Sequence, residues 1–295
     1  MSSAEQRRAR SAAWPMGFFF PFASTGKKTE ATGDRPGRVI AVCSVKGGVG
    51  KTTTSVNLAA GLSLEEGIRV LLVDADPQGH ATGCMSGMVA ETQGSLADVL
   101  PRRSGDLLDV VAHTNKPRLD LVPAGDDLQA AETTLSTRIG RETVLKGALA
   151  VARTHYDYVV IDCPPSLSLL AVASLVAANA VMVPSEPTPL AICGFGSLLT
   201  ALADVRDRLN PSLAFLGVVV TRFDGRNKRQ NREALETLES TVGEHLFESV
   251  IGVSTELARA RMHGRPTVLQ APKSRGALQY RDLVSEVRTR MEAMD

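Results

Sequence analysis

Ser44-Val45-Lys46-Gly47-Gly48-Val49-Gly50-Lys51-Thr52-Thr53-Thr54 stands between two runs of regular periodicity. Before it, Arg38 to Ser44 is short, apolar and β-branched, the composition of a buried strand. After it, Thr52 to Glu66 carries Val56, Leu58, Ala59, Ala60, Leu62 and Leu64 at helical spacing. A strand, a glycine loop and a helix in that order make a phosphate cradle. The glycines let backbone N–H groups approach phosphate oxygens, the helix N-terminus faces the anion, and a lysine adds a cation. Gly47, Gly48, Val49, Gly50, Lys51, Thr52 and Thr53 are therefore the expected nucleotide-binding residues, with the Thr52 hydroxyl available to Mg²⁺.

Two further strands end in carboxylates. Arg69 to Asp74 is apolar and runs into Ala75-Asp76-Pro77-Gln78-Gly79-His80, which is also a good turn sequence. Tyr156 to Asp162 is the third such strand, followed by Cys163-Pro164-Pro165-Ser166. In open α/β sheets ligands bind at the C-terminal ends of strands, where both aspartates fall. A strand-end aspartate in this setting holds the hydration shell of Mg²⁺. Elsewhere strands are expected at Leu119–Pro123, Ala180–Pro184 and Leu213–Thr221. Helices are expected at Ser95–Leu100, over Asp126–Ala152 with a break near Gly140, after Gly194 to about Leu209, and at the C-terminus. Leu283, Val284, Val287, Met291 and Met294 form one apolar stripe on that last helix. This alternation predicts a single doubly wound, mostly parallel sheet with helices on both faces, spanning residues 38–295.

Lys46, a second lysine ahead of the first glycine, is not required by an ordinary phosphate loop. Lys-Gly-Gly-Val-Gly-Lys-Thr-Thr resembles the deviant Walker A motif of the ParA/MinD family of dimerising ATPases, and the chain is most similar to the ParA/Soj chromosome-partitioning branch. The resemblance covers about residues 38 to 290 and implies ATP and Mg²⁺ as ligands. It implies catalytic roles for Lys46, Lys51 and Asp76, with Lys46 reaching the neighbouring subunit of an ATP-bound homodimer and Asp76 orienting or activating the attacking water. Thr52, Asp76 and Asp162 would serve the metal, and Asp74 would support Mg²⁺ or Lys51. Partners implied are non-specific double-stranded DNA and a ParB-like adaptor that stimulates hydrolysis, on a cytoplasmic, nucleoid-associated protein. The family pattern Asp-x-Asp-Pro-Gln-Gly-Asn is changed here by His80.

The expected DNA face is basic. Arg222, Arg226, Lys228 and Arg229 cluster at a helix start, where the macrodipole disfavours them, and relatives carry a DNA-facing Asp-x-Arg segment there. A solvated charged face is the alternative. Where close relatives have Pro-Arg-Asn beside the adenine, this chain has Gly252-Val253-Ser254. Arg259 and Arg261 stand nearby instead, and Lys273 and Arg275 could join the patch. Arg226→Ala is expected to lower the salt slope of DNA binding by about one unit.

A net charge of +1 over 295 residues, with 43% hydrophobic and 22% charged residues, is that of an ordinary globular protein. Any nucleic-acid contact must then come from a local patch. Cys43, Cys84, Cys163 and Cys193 are widely spaced, without a C-x-x-C pair, and read as reduced thiols. Residues 1–37 lack helical or strand period and read as a disordered basic and aromatic tail. Trp14, Phe18, Phe19, Phe20 and Phe22 make that tail either a passive extension or a docking segment. Prolines and a glycine interrupt its apolar stretch, unlike a signal peptide, and no run is long enough to span a bilayer. Three other functional classes stay open: a MinD-like membrane-associated positioning ATPase, a metal-cluster carrier or reductase, and a regulatory ATP switch that binds no DNA.

Overall fold

Successive residues of the central strands face different cores. Val39, Ala41, Leu71, Val73, Val159 and Ile161 pack on one side of the sheet, and Ile40, Val42, Val70, Leu72, Tyr158 and Val160 on the other. Such strands are buried on both faces, which is why they read as continuous apolar runs. The structure is a computed structural model that describes residues 36–44, 46–226 and 228–294; at 189–194, 228–231 and 261 it describes the backbone alone. The tail expected over residues 1–37, including its five aromatic residues, lies outside the described residues except for Pro36 and Gly37.

The first half contains β1 (Arg38–Val42), α1 (Lys51–Leu62), β2 (Val70–Asp74), α2 (His80–Met85), α3 (Leu96–Val99), β3 (Ala112–His113), β4 (Leu119–Val122) and α4 (Leu128–Leu135). Next come α5 (Val144–Ala148), α6 (Ala152–His155), β5 (Tyr158–Asp162), α7 (Leu169–Ala177) and β6 (Ala180–Ser185). The chain continues with α8 (Pro189–Arg208), β7 (Ala214–Phe223), α9 (Lys228–Val242), β8 (Leu246–Gly252), α10 (Thr255–Met262), α11 (Thr267–Gln270) and α12 (Arg275–Glu292). The eight strands form one sheet in the order β3-β4-β2-β5-β1-β6-β7-β8, parallel throughout except for β3. Helices α3 to α8 contribute to one core, and α1, α2, α11 and α12 to the other. The doubly wound architecture expected from the sequence is therefore present.

Several boundaries differ. Helix α1 ends at Leu62 rather than Glu66, because the chain turns through Gly67 at φ +77°. Over 126–152 the break at Gly140 (φ +72°) leaves three short helices. Strand β7 continues through Phe223, so Arg222 belongs to a strand end and not to the start of a helix. On α12, Leu283, Val284, Val287 and Met291 are buried as expected, but Met294 lies past the helix end and is exposed. The reading of periodicity also leaves out α2, β3, α7, β8, α10 and α11, and for two of them the reason is plain. Strand β3 is too short to show a period, and α7 is buried almost all round, so it has no polar face to define a stripe. No helix among the described residues is long and apolar enough to cross a membrane.

Candidate nucleotide site

The strand order places the ends of β1, β2 and β5 side by side. Asp162 lies across from Val42 on one flank and Asp74 on the other. The chain leaves β1 toward β2 on one side and later passes from β5 to β6 on the other, so the sheet reverses direction at this point and opens a crevice. The loop after β1 fills it. Gly48 and Gly50 adopt left-handed backbone at φ +82° and +88°, and a Cβ at Gly47 or Gly48 would project into open space in front of the loop. Gly50 caps α1 without a side-chain acceptor, so the first-turn N–H groups point at the cradle. The Thr221 hydroxyl, from the end of β7, donates to the Val49 carbonyl at 2.6 Å and pins the loop.

Beneath the loop the charges are densely coupled. Lys51 Nζ lies 2.9 Å from Asp162 Oδ1 and 3.5 Å from Asp76 Oδ2. The Thr52 hydroxyl donates to Asp162 Oδ2 and the Ser55 hydroxyl to Asp162 Oδ1, both at 2.8 Å. Burial alone would pull the Lys51 ammonium down, but attraction from Asp162, helped by Asp76, outweighs it and leaves the lysine above its ordinary value. Asp74 accepts from the Thr82 N–H and hydroxyl at 2.7 Å each and from the Asp76 N–H at 3.2 Å. It thereby fixes the loop that carries Asp76, while Thr82 Oγ1 also accepts from the Ala124 N–H. Cys43 and Cys163, just past β1 and β5, are buried free thiols. A hydrogen bond with Cys163, together with burial, pushes the Cys43 thiol up.

Burial, and then repulsion from Asp162, push the Asp74 carboxyl up to about 7. Between pH about 4 and 7 the folded protein therefore holds a proton that the unfolded chain releases, and stability falls as pH rises across that window. In nucleotide-free, metal-free protein, Asp74→Asn is expected to flatten the pH dependence of Tm between pH 4 and 7. An unchanged slope would show that Asp74 does not titrate there.

The cleft above these groups has a volume of about 540 Å³. Lys46, Gly47, Gly48, Lys51, Thr52, Asp76 and His80 line one end, and Ile251, Gly252, Val253, Leu257, Ala258 and Tyr280 form an apolar wall at the other. The polar end suits phosphates and the apolar wall a base. No three His, Cys, Asp or Glu side chains form a metal cage among the described residues. The oxygen set of Thr52, Asp76 and Asp162 fits Mg²⁺, which uses one or two carboxylates together with substrate phosphates and water. Lys46 sits at the mouth, its Nζ 2.9 Å from Glu186 Oε2, and Arg222 Nε approaches Glu186 Oε1 at 2.5 Å.

The basic residues divide. Arg226 is 87% exposed, but Asp224 grips its guanidinium through both carboxylate oxygens, at 2.7 to 3.1 Å. That fork holds the Asp224 carboxyl at about 2. Arg222 lines the nucleotide cleft. Arg259, Lys273 and Arg275 are exposed and belong to none of the ion pairs found among the described residues. Leu257 packs against Gly276, which sets α10 beside the start of α12 and brings these three residues to one neighbourhood. The side chains of Lys228, Arg229 and Arg261 lie outside the described residues. Sequence reasoning gave no role to Ser55, Thr82, Glu186 or Thr221. Ser55, Glu186 and Thr221 each meet a partner more than 100 positions away, which only the sheet register reveals, and Thr82 meets Asp74 eight positions away across a turn that carries no periodic signal.

An AAA domain family model matches residues 37–215. The sporulation initiation inhibitor protein Soj of Bacillus subtilis is 40% identical over 251 residues, covering 85% of this chain and 98% of Soj. The chain belongs to the ParA/Soj family of ATPases. The chromosome partitioning protein ParA of Caulobacter vibrioides is 38% identical over 260 residues, covering 86% of this chain and 95% of that protein. Among solved structures, a Mycobacterium smegmatis protein described as cobyrinic acid a,c-diamide synthase, with bound ADP and magnesium, superposes with a TM-score of 0.72. It is 35% identical, and the match covers 87% of this chain and 96% of that one. The lysines, glycines and aspartates above are thus met in the setting of a ParA-type ATPase fold.

Proposed function

We propose that residues 38–295 form an ATPase domain that closes into a dimer on ATP, binds DNA without sequence preference and positions a cargo, as in chromosome or plasmid partitioning. The observation that carries this reading is the division of labour between two lysines on one loop. Lys51 is 7% exposed and enclosed by carboxylates, whereas the Lys46 side chain is 41% exposed at the mouth of the cleft. One cation serves its own site, and the other is placed to serve a second.

ATP is the substrate and the loop N–H groups receive its phosphates. Lys51 exchanges part of its contact with Asp162 for a phosphate oxygen, which frees that carboxylate and the Thr52 hydroxyl for the metal. Bound Mg²⁺ supplies positive charge to the phosphate oxygens. Asp76, held by Asp74 through its N–H, orients the attacking water as general base. Lys46 from the partner subunit adds charge as the dimer closes, and hydrolysis reopens it. Hydrolysis then times assembly, with a ParB-like adaptor accelerating it and the protein associated with the nucleoid. The name of the Caulobacter relative supports the partitioning role. The docking of α12 through Leu283, Val284, Val287 and Met291 leaves it without a free apolar face for a membrane.

The test is sedimentation with MgATPγS against MgADP, alongside retention of a random-sequence duplex over a salt series. A dimer and DNA retention only with MgATPγS are expected; a monomer that ignores DNA in both states overturns the proposal. Arg259→Ala, Lys273→Ala and Arg275→Ala should each lower the slope of log affinity against log salt by about one unit. Arg226→Ala should lower it by less, because Asp224 already neutralises that guanidinium.

A further inference from the structure

We infer that Glu186 is a latch: one carboxylate that holds Lys46 and Arg222 within the same chain and must release Lys46 before that lysine can serve a second subunit. The inference rests on the dimerising reading above. Its geometry follows from the sheet. Glu186 comes directly after β6, which lies between β1, whose loop carries Lys46, and β7, whose end carries Arg222. Each oxygen takes one cation, Oε2 with Lys46 at 2.9 Å and Oε1 with Arg222 at 2.5 Å.

The three partners are unequally fixed. The Glu186 side chain is 17% exposed, against 41% for Lys46 and 60% for Arg222. It stands in Glu186-Pro187-Thr188-Pro189, where two prolines restrict the backbone and the Thr188 N–H closes back on the Glu186 carbonyl at 2.8 Å. The carboxylate is the fixed member and the lysine the movable one. Arg222 holds left-handed backbone at φ +52°, uncommon for a residue with a side chain, and this places its guanidinium on Glu186.

Lys46 and Arg222 line the cleft and Glu186 stands behind them; a carboxylate so close to an anion site opposes phosphate binding unless cations cover it. With two cations on one carboxylate, Lys46 can leave and the Glu186–Arg222 pair remains neutral. Release is therefore inexpensive, as a switch at an interface requires. Exposed pairs of this kind are weak, and two are broken per dimer, so removing the latch should tighten the dimer between about twofold and 30-fold.

The experiment compares dimer dissociation constants in MgATPγS, by sedimentation, for the full-length parent protein, Glu186→Gln, Lys46→Ala and the double variant. Thermal melting and monomer binding of MgATPγS check that each variant is folded. Glu186→Gln is expected to tighten the dimer within that range, and the double variant to be no tighter than Lys46→Ala. An unchanged dimer with Glu186→Gln overturns the latch. So does a weaker dimer, which would mean that the carboxylate works across the interface. Lys46→Ala dimerising like the parent would instead overturn the dimerising role of Lys46, a comparison that does not involve Glu186.

Discussion

Lys51→Ala is expected to lose nearly all ATP turnover and also to lower the stability of the nucleotide-free protein. The two losses have separate causes. Turnover is lost because the buried ammonium is the cation beneath the phosphate cradle, and removing such a charge from a water-poor site costs on the order of 100- to 1000-fold in rate. Stability is lost because Asp162, fully buried, and Asp76, 3% exposed, are left facing each other and Asp74 without their counter-ion. Deleting one partner of a buried pair costs about 3 to 5 kcal/mol, on the order of 10 °C in Tm for a chain of this size. Pairing Lys51→Ala with Asp162→Asn removes a stranded charge, so it should recover much of the Tm and none of the activity. Single-turnover hydrolysis and thermal melting read the two effects independently. Normal turnover in Lys51→Ala would refute the site, and an unchanged Tm would refute the charge coupling beneath it.

How much of this was legible in the sequence depends on how local the signal is. The loop from Lys46 to Thr53 and the aspartates at 76 and 162 were readable because each lies on a strand–loop pattern that the backbone itself enforces. The parallel sheet was readable because β1, β2 and β5 are buried on both faces and thus unbroken apolar runs. Contacts set by register were not readable. Thr221 meets Val49 across 172 positions and Glu186 meets Lys46 across 140, and neither carries a local pattern. The extent of β7 was misjudged for a related reason. Arg222 looks like the start of a basic helix, but β7 still pairs with β8 at Phe223–Gly252, so the strand persists beyond its apolar run. Arg226 shows the converse: its charge is evident in the sequence, whereas its neutralisation two residues away by Asp224 is a matter of geometry.

Asp76→Ala should separate closure from chemistry. The carboxylate is held at the cleft wall by the Gln78 N–H on Oδ1 at 3.1 Å, and its own N–H is held by Asp74. Replacing it leaves the 2.9 Å contact of Lys51 with Asp162, the left-handed glycines and Lys46 in place. Nucleotide binding and dimer closure should therefore survive, while loss of the base slows hydrolysis by about 100- to 10,000-fold. Under the proposed cycle, in which hydrolysis reopens the dimer, its lifetime and the duration of DNA retention should lengthen accordingly. The expected result is a stable dimer with MgATP that stays on DNA after an ADP chase, where the unsubstituted protein is released. Stability provides an independent check. Asp76→Ala removes one member of a crowded acidic cluster and keeps the lysine, so Tm should hold or rise, opposite to Lys51→Ala. A variant that binds ATP yet stays monomeric and free of DNA would place the closing signal in the Asp76 carboxylate itself, and the timing role assigned to hydrolysis would fall.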